Sequence, residues 1–345
     1  MLDPMTEDEA FAENHEGPVA TALRALLPPL TAPESAYPSA LLAVAKQLLN
    51  RAVIHVGGQR LRPVEVECYF HGGEHPDDFA HRDPIQVEPG RWYFHRSGGT
   101  YKAGSYKGLD ITCGHDGAHG GVLLRALAPL DERRSAALRA IDGPASLIDG
   151  PSLCVDHLLA AAGASSIAAL VARLPPGSPV DRVDQTPFSL TLEDDRAAPV
   201  YATPRVGLTL KRGELELRQR FLSRGYRYLT EPARLRKGTP HLIVALCRAG
   251  WSDARIAALS GSRPTLVSAY RAAYQRGQAR STEEYRGDLS GETLCEALGA
   301  CDAAVPDREH GRRQTRDPCA DDVDLGLNLH HAMPLRSCPA VPDSW

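Results

Sequence analysis

The sequence predicts a mixed α/β fold of the α+β type, in which a sheet-rich part is followed by a purely helical part. Three observations favour this class. Residues 51–127 contain short alternating or continuous apolar runs bounded by glycine and proline, which is typical of strands. Helical apolar spacing flanks these strands at 39–51 and 152–173. From 241 to 277 the strand signals stop, and three helical segments follow one another.

The elements are expected in a definite order. Residues 1–37 are acidic and dotted with proline, which indicates a flexible arm. Residues 39–51 predict a helix with Ser39 as its N-cap. The segment 51–69 predicts a hairpin that turns at Gly57-Gly58. Further strands are expected at Trp92–His95, Val122–Leu127, Phe188–Leu192, Val206–Leu210 and Arg220–Leu222, with helices at 131–141 and 152–173.

We expect four regions, of which the arm is the first. The mixed α/β domain spans 38–235. Residues 240–278 form a small helical segment in which Ser260–Ser262 turns the chain between the second and third helices, as in helix-turn-helix proteins. A three-helix bundle that only packs is the alternative for this segment. Residues 279–345 are polar and rich in Gly, Asp and Pro, which predicts a weakly ordered tail.

Composition restricts the class of protein. The chain is 43% hydrophobic and 24% charged, as in ordinary globular proteins, and no apolar run approaches the roughly 20 residues that span a membrane. The acidic N-terminus is unlike a signal peptide, so a cytoplasmic, nucleoid-associated location without membrane contact is expected. The eight cysteines match no zinc-finger spacing, and neither a metal nor another cofactor is expected.

The net charge of −4 hides a strongly basic stretch. Between Arg205 and Lys237 there are ten Lys or Arg residues and three acids, a local net charge of +7. Such a stretch suits a polyanionic partner. A solvated, arginine-rich surface is an equal alternative.

A few polar residues stand on strand-like segments where chemistry is expected. Glu67 and Tyr69 are two residues apart and therefore face the same side of a strand. Arg125 lies on an otherwise apolar strand and needs a carboxylate or phosphate partner there. His81 and His95 could contact or stack on a flat ring. Taken singly, Glu67 is more typical of an exposed strand glutamate, and Arg125 of a structural ion pair.

The order of these motifs makes the pattern specific. The chain contains Val-Glu-x-Glu-x-Tyr ending at Tyr69, a histidine a dozen residues later, Pro-Gly-x-x-Tyr ending at Tyr93, then x-Ile-Thr, and Val-Leu-Leu-Arg-Ala-Leu around Arg125. Gly-Pro-Ser at 150–152 and Thr-Pro-Arg-Val-Gly at 203–207 continue the series. Over about 50–230 the chain resembles the alkyladenine (3-methyladenine) DNA glycosylase family.

That resemblance implies a fold and a set of roles. It implies a single-domain glycosylase fold with a hairpin that inserts into DNA, acting on double-stranded DNA that contains a modified base. Glu67 aligns with the general base that activates water, and Arg125 with a residue that supports the water and the carboxylate. Tyr69, His81, Tyr93, His95 and Asp110 are the implied base-binding residues.

The DNA-binding residues are expected mainly in the loop 96–108, where the family carries its inserting hairpin. An aromatic side chain there takes the place of the extruded base, while lysines hold phosphates. A flexible glycine-rich surface loop is the alternative. Protein partners are unknown. The candidate DNA contacts are Tyr101 or Tyr106 as the wedge, Lys102, Lys107, Arg205 and Arg220.

Two departures from the family pattern bear on the substrate. His95 stands where the family usually stacks a tyrosine, and Asp110 where it usually has an asparagine. An ionised Asp110 accepts but cannot donate a hydrogen bond, which favours a base that presents an amine or hydroxyls. The sequence thus predicts a monofunctional glycosylase for a non-standard base, for example a hypermodified cytosine of phage DNA in a defence role. The alternatives are alkylpurine repair and a non-enzymatic DNA-binding regulator.

Overall fold

The chain is built around one large antiparallel sheet with helices on one face and at one end. The computed structural model describes residues 17–130, 147–174, 179–182 and 186–305. Within these residues ten strands form the large sheet, and its main path runs β10-β1-β2-β8-β7-β4. The strands are β1 Ala52–Val56, β2 Gln59–Gly72, β3 His75–Pro76, β4 Trp92–Phe94, β5 Arg96–Ser97, β6 Thr100–Tyr101, β7 Leu109–Thr112, β8 His119–Pro129, β9 Ile148–Asp149, β10 Phe188–Leu192, β11 Tyr201–Thr203 and β12 Arg227–Leu229.

Helices precede, interrupt and follow the sheet. Short 3-10 helices lie at Glu34–Ala36, Pro84–Val87, Gly104–Tyr106, Pro232–Arg234 and Thr282–Tyr285. No helix of the described part is long and apolar enough to cross a bilayer. The α-helices are α1 Pro18–Arg24, α2 Tyr37–Arg51, α3 Pro151–Ala161, α4 Ile167–Val171, α5 Leu215–Leu222, α6 Thr239–Arg248, α7 Asp253–Ser260, α8 Pro264–Gly277 and α9 Gly291–Ala304.

The predicted hairpin at the start of the sheet is confirmed. β1 and β2 pair antiparallel, and the chain turns at Gly57 and Gly58, which both have positive φ. Strand alternation then gives β2 two different faces. Val66, Cys68 and Phe70 point into the main hydrophobic core, where α2 covers them. The residues between them point to the opposite, polar face, which carries the candidate site.

Helix α2 begins earlier than the sequence predicts. It starts at Tyr37 with Ala36 as its N-cap, and Ser39 lies inside its first turn with its hydroxyl donating to the Ala36 carbonyl. The predicted helix 152–173 is divided into α3 and α4, and Pro151 is the first residue of α3 as expected. The predicted helix 131–141 lies outside the described residues.

Two strand predictions in the arginine-rich stretch are wrong. Residues 206–210 form no strand, and 220–222 belong to helix α5. Leu217 and Phe221 are four residues apart, which places both on the inner side of a helix, and both pack against the main core. The sequence analysis also missed two strands of three residues, β11 just before this stretch and β12 within it.

Order extends further at both ends than the sequence predicts. Of the arm 1–37, residues 18–24 form α1, which buries Val19 and Leu23 in the main core. Of the tail 279–345, residues 291–304 form α9, which packs along α8. Residues 1–16 and 306–345 lie outside the described part.

Close helix packing explains α9. A Cβ on Gly277 would lie 1.9 Å from the Glu296 carbonyl oxygen, and one on Gly299 would lie 2.1 Å from the Tyr274 carbonyl oxygen. The backbones of α8 and α9 therefore touch at these two glycines. Cys295 and Leu298 are buried beside them. Gly299, one of the glycines that predicted a weakly ordered tail, together with Gly277 instead allows two helices to pack closely.

Candidate active site

A row of directly paired residues crosses the polar face of the sheet. Tyr93 pairs with Asp110, Asp110 with Leu123, Leu123 with Glu67, and Glu67 with Arg227. Residues opposite one another on antiparallel strands share a face, so all five side chains project to the same side. Because neighbouring strands are about 4.8 Å apart, Asp110 and Glu67 stand about 10 Å from each other across Leu123. The row thus has a carboxylate near each side and an apolar floor between them.

Glu67 is a buried carboxylate held by two hydrogen bonds and an ion pair. The backbone N–H of Val206 donates to its Oε1 at 2.6 Å, and the Tyr69 hydroxyl donates to its Oε2 at 2.7 Å. The Nη1 atom of Arg125 lies 3.4 Å from Oε1. Burial and the adjacent Glu67 carboxylate raise the pKa of Tyr69 well above its ordinary value, so the phenol remains a donor. These contacts fix the orientation of the Glu67 carboxylate.

A β-bulge directs Arg125 toward this carboxylate. Glu65 pairs with Ala126 and Val66 with Leu124, so Arg125 is an extra residue between two pairs. Such bulges redirect a side chain. Its guanidinium reaches Glu65 Oε1 at 2.9 Å as well as Glu67. Although burial opposes its charge, the two carboxylates raise the pKa of Arg125.

Glu65 and Arg227 complete an ionic cluster that the sequence analysis missed. Arg227 Nε donates to Glu65 Oε1 at 2.5 Å, and both side chains are almost fully buried. Burial opposes ionisation of Glu65, yet Arg227 and Arg125 hold its pKa below the usual value. The alternation Glu65, Glu67, Tyr69 was a usable signal for Glu65. No sequence signal pointed to Arg227, because it stands in the arginine-rich stretch, whose composition is typical of a solvated surface.

Arg205, an expected DNA contact, instead supports the pocket from inside. Its side chain is 1% exposed and pairs with Asp77 through Nη1 at 2.6 Å and Nη2 at 3.1 Å. Its guanidinium carbon lies 4.4 Å from the centre of the Tyr69 ring. A side chain buried in this way cannot reach a phosphate in this conformation. Arg205 therefore positions Tyr69, and the next residue, Val206, supplies the N–H that binds Glu67.

The far side of the pocket is a wall of three rings. His81 lies 4.2 Å from His95, centre to centre, and its Nδ1 is 3.1 Å from the Tyr93 hydroxyl. His81 is the exposed member of the three. The rings behind it nevertheless desolvate its imidazole, and this effect, together with His95, lowers the pKa of His81 to about 4. His81 is therefore uncharged near neutral pH.

Asp110 already has partners on both oxygens. His95 Nε2 lies 2.7 Å from its Oδ1, and Gln86 Nε2 donates to its Oδ2 at 3.1 Å. The carboxylate is 2% exposed. A Cβ on Gly121 would come within 2.7 Å of Oδ2, so this glycine leaves the space that Asp110 occupies. Asp110 is thus held within the ring wall by His95 and Gln86, and its expected contact with the base stays a prediction.

The expected insertion hairpin projects from the same wall. Its root is the backbone of His95, which donates to the Gly108 carbonyl and accepts from the Lys102 N–H. Tyr106 is 78% exposed on the 3-10 helix that follows the β5–β6 hairpin, whereas Tyr101 packs partly against the core. Lys107 forms an ion pair with Asp156. Of the two candidate wedges, Tyr106 is thus the more exposed.

Most cations of the basic stretch are neutralised by ion pairs with acidic residues of the same chain. Arg220, an expected DNA contact, forms an ion pair with Glu34, and Arg224 pairs with the same carboxylate. Arg205 and Arg227 are buried with Asp77 and Glu65. Further pairs join Lys211 to Asp288, Arg218 to Asp78, and Arg234 to Glu231.

Comparisons with known proteins identify a family for this chain. Residues 35–227 match the sequence model of the methylpurine-DNA glycosylase (MPG) family. Proteins named "Putative 3-methyladenine DNA glycosylase" from Mycobacterium tuberculosis and Mycobacterium bovis are 33% identical over 184 residues, covering 49% of this chain and 79% of theirs. "Uncharacterized protein L759" of Acanthamoeba polyphaga mimivirus is 40% identical over 72 residues, which is 21% of this chain and 33% of the viral protein.

The match contains every residue of the site described above, and the helices α6 to α9 lie beyond its end. The chain therefore belongs to the methylpurine-DNA glycosylase family and is an enzyme of the DNA glycosylase class.

Proposed function

We propose that this protein flips a modified base out of duplex DNA and hydrolyses its N-glycosidic bond, with Glu67 activating the water. The observation that carries the proposal is the orientation of Glu67, fixed by Val206, Tyr69 and Arg125. A carboxylate held in this way keeps lone pairs for a water molecule at the mouth of the pocket. Its negative charge also stabilises the cationic sugar that develops as the bond breaks.

The contacts of Glu67 favour a hydrolytic reaction. Among the described residues its polar contacts are a phenol, a guanidinium and a backbone amide. None of these is an amine nucleophile that could form a Schiff base with the sugar. The product would be an abasic site, with the strand left intact.

The flipped base would lie over Leu123, between the Tyr69 side and the ring wall of His81 and His95. The ring nitrogens of both histidines make the edge of this wall polar. Asp110 adds a negative charge behind His95. These groups favour a base with an added amine or hydroxyl, such as a hypermodified cytosine of phage DNA, and hence a defence role. Alkylated purines are the alternative, which the names of the mycobacterial relatives suggest.

The test compares wild type with Glu67→Gln on duplexes that contain alkylated, deaminated, hydroxymethylated or glucosylated bases. Abasic sites are measured by alkaline cleavage under single-turnover conditions. We expect Glu67→Gln to excise at least about 100-fold more slowly, because a general base contributes roughly 10²–10⁴, while its duplex affinity is retained. Glu88→Gln, on an exposed carboxylate outside the pocket, is the matched control.

The base that is released decides between the two substrate classes. Equal excision by wild type and Glu67→Gln would refute the role of Glu67. If wild type binds duplex DNA tightly but releases no base from any panel, the protein acts as a DNA-binding regulator.

A further inference from the structure

The helices beyond the family match adjoin the proposed DNA-binding side. In the 3-10 helix Pro232–Arg234, Ala233 contacts the turn between α7 and α8. A Cβ on Gly261 would lie 3.7 Å from the Ala233 carbonyl oxygen. Gly261 has a φ of +66°, the left-handed conformation that allows this turn. The turn of the helical segment is therefore adjacent to the end of the basic stretch.

The end of the basic stretch in turn adjoins the insertion hairpin. Lys237 Nζ would lie 3.0 Å from a Cβ on Gly150, the residue that precedes α3. Helix α3 contacts the 3-10 helix Gly104–Tyr106 of the hairpin. Successive contacts therefore run from the 3-10 helix that carries Tyr106, through α3 and Lys237, to the α7–α8 turn.

Three cations on this surface differ from the other basic residues nearby. Arg236, Lys237 and Arg263 are exposed, and no carboxylate of the described residues pairs with any of them. Most other cations of the basic stretch are held in ion pairs. Asp149, the acid beside Arg236, accepts from its backbone N–H rather than from its guanidinium.

We propose that Arg236, Lys237 and Arg263 form a second DNA-binding surface, which holds phosphates of the duplex beside the flipped base. We call it the flank surface. It extends the contact from the hairpin, at Tyr106, to the helical segment. Unpaired exposed cations beside a duplex-binding hairpin are complementary to a phosphate backbone, because each contact releases condensed counterions. The inference rests on the proposed function only in taking duplex DNA as the ligand.

The test measures the salt dependence of binding to an unmodified duplex by fluorescence anisotropy. The slope of log K against log[salt] is negative, and each phosphate contact contributes about 0.9 to its magnitude. In the variant Arg236→Ala/Lys237→Ala/Arg263→Ala we therefore expect this magnitude to be smaller by about two to three. At about 100 mM salt the Kd should rise tenfold or more.

The control removes the same charge elsewhere. Lys46 lies on α2, on the far side of the sheet. Arg280 and Arg286 follow the C-terminal end of α8, about 20 Å along the helix from Arg263. The variant Lys46→Ala/Arg280→Ala/Arg286→Ala should bind within about twofold of wild type, because contacts at the flank surface remain. Equal slopes and Kd values for the two triple variants would overturn the proposal.

Loss of folding is separated from loss of contacts by a charge-preserving variant. Arg236→Lys/Lys237→Arg/Arg263→Lys keeps all three charges and should retain the wild-type salt slope. A loss as large as that of the alanine variant would show that the three cations do not act through charge, and would also overturn the proposal. Because the duplex is unmodified and no base is released, failure of the excision experiment does not affect this result.

Discussion

The partners of a single side chain decide what it contributes to this site. Asp110 stands where a charged acceptor could meet the substrate, but His95 and Gln86 use both of its oxygens. We therefore expect it to shape the pocket by fixing the His95 ring and by its negative charge. Glu67 accepts two hydrogen bonds and pairs with Arg125, and the role proposed for it is to activate water.

The charge of Asp110 can be removed with little change in shape. In Asp110→Asn the amide oxygen can still accept from His95, while the Gln86 amide can match the new donor only by giving up its bond from the Asp83 N–H. We expect excision of bases that carry an amine or a positive charge to slow by about tenfold relative to neutral bases, a change of about 1.4 kcal/mol. The measurement is kcat/KM across the base panel.

The matched control for this prediction is Asp194→Asn, which removes one charge from an exposed loop. It should leave all excision rates unchanged. If Asp110→Asn changes every rate by the same factor, or none, the carboxylate does not set the substrate preference.

At the scale of elements, the hairpin is attached to the pocket wall at one residue. His95 holds both ends of the loop through its backbone and one side of the pocket through its ring. Arg96 secures the first strand of the hairpin by two bonds to Asp83, at 2.7 and 3.0 Å. The hairpin and the ring wall are thus joined at His95, so the proposed insertion and base binding would share one support.

We expect Tyr106→Ala to slow excision from duplex DNA by about tenfold or more, with a much smaller effect on single-stranded DNA. The reason is that only a duplex requires the base to be unstacked and its place filled, at a cost of a few kcal/mol. Single-turnover rates on the two substrates measure this difference. Leu153→Ala, which shortens a 50% exposed side chain on the neighbouring helix α3, is the control.

Either of two results would contradict the wedge role. One is an unchanged duplex rate in Tyr106→Ala. The other is an equal loss on single-stranded and duplex DNA, which would indicate a role in binding the strand instead.

Elements with a strong period could be predicted from the sequence. The alternation around 51–69 and the apolar run at 122–127 gave the two central strands, and the three helices of 241–277 were also predicted. β11 and β12 could not be predicted, because a strand of three residues is too short to show an alternating hydrophobic pattern. Alternation placed the candidate residues Glu67 and Tyr69 on one face of a strand, and their expected roles came from the family resemblance. The position of Arg125 depends on a bulge, and bulges appear only when two strands are paired.

At the scale of the whole molecule, internal ion pairs neutralise most of the basic stretch. A run with a net charge of +7 suggested a surface for DNA. The acids that neutralise it come from distant parts of the chain, such as Glu34, Asp77 and Asp288. Charge along a sequence cannot reveal these partners, because they meet only in the fold. The cations left unpaired mark the surface on which DNA binding is proposed.

A buried histidine makes the stability of the whole fold sensitive to acid. His75 lies in the core among Tyr37, Phe221 and Tyr226. Its Nδ1 donates to the Phe70 carbonyl at 2.8 Å, so its Nε2 accepts from the Tyr226 hydroxyl at 2.8 Å. This bonding requires the neutral ring, and desolvation by burial lowers the pKa of His75 to about 4.

The unfolded chain binds this proton near the ordinary pKa of 6.5, whereas the folded chain resists it down to about 4. Stability is therefore fully present above pH 6.5 and falls as the pH drops toward 4. His75 alone should reduce the free energy of unfolding by about 2 kcal/mol between pH 8 and pH 5.

Urea unfolding at these two pH values measures the change. In His75→Gln, which cannot titrate, the loss should be smaller by about that amount, although the variant is less stable at both values. His241, whose pKa burial also lowers, should retain its own contribution in that variant. If wild type and His75→Gln lose the same free energy, His75 is not a source of the acid sensitivity.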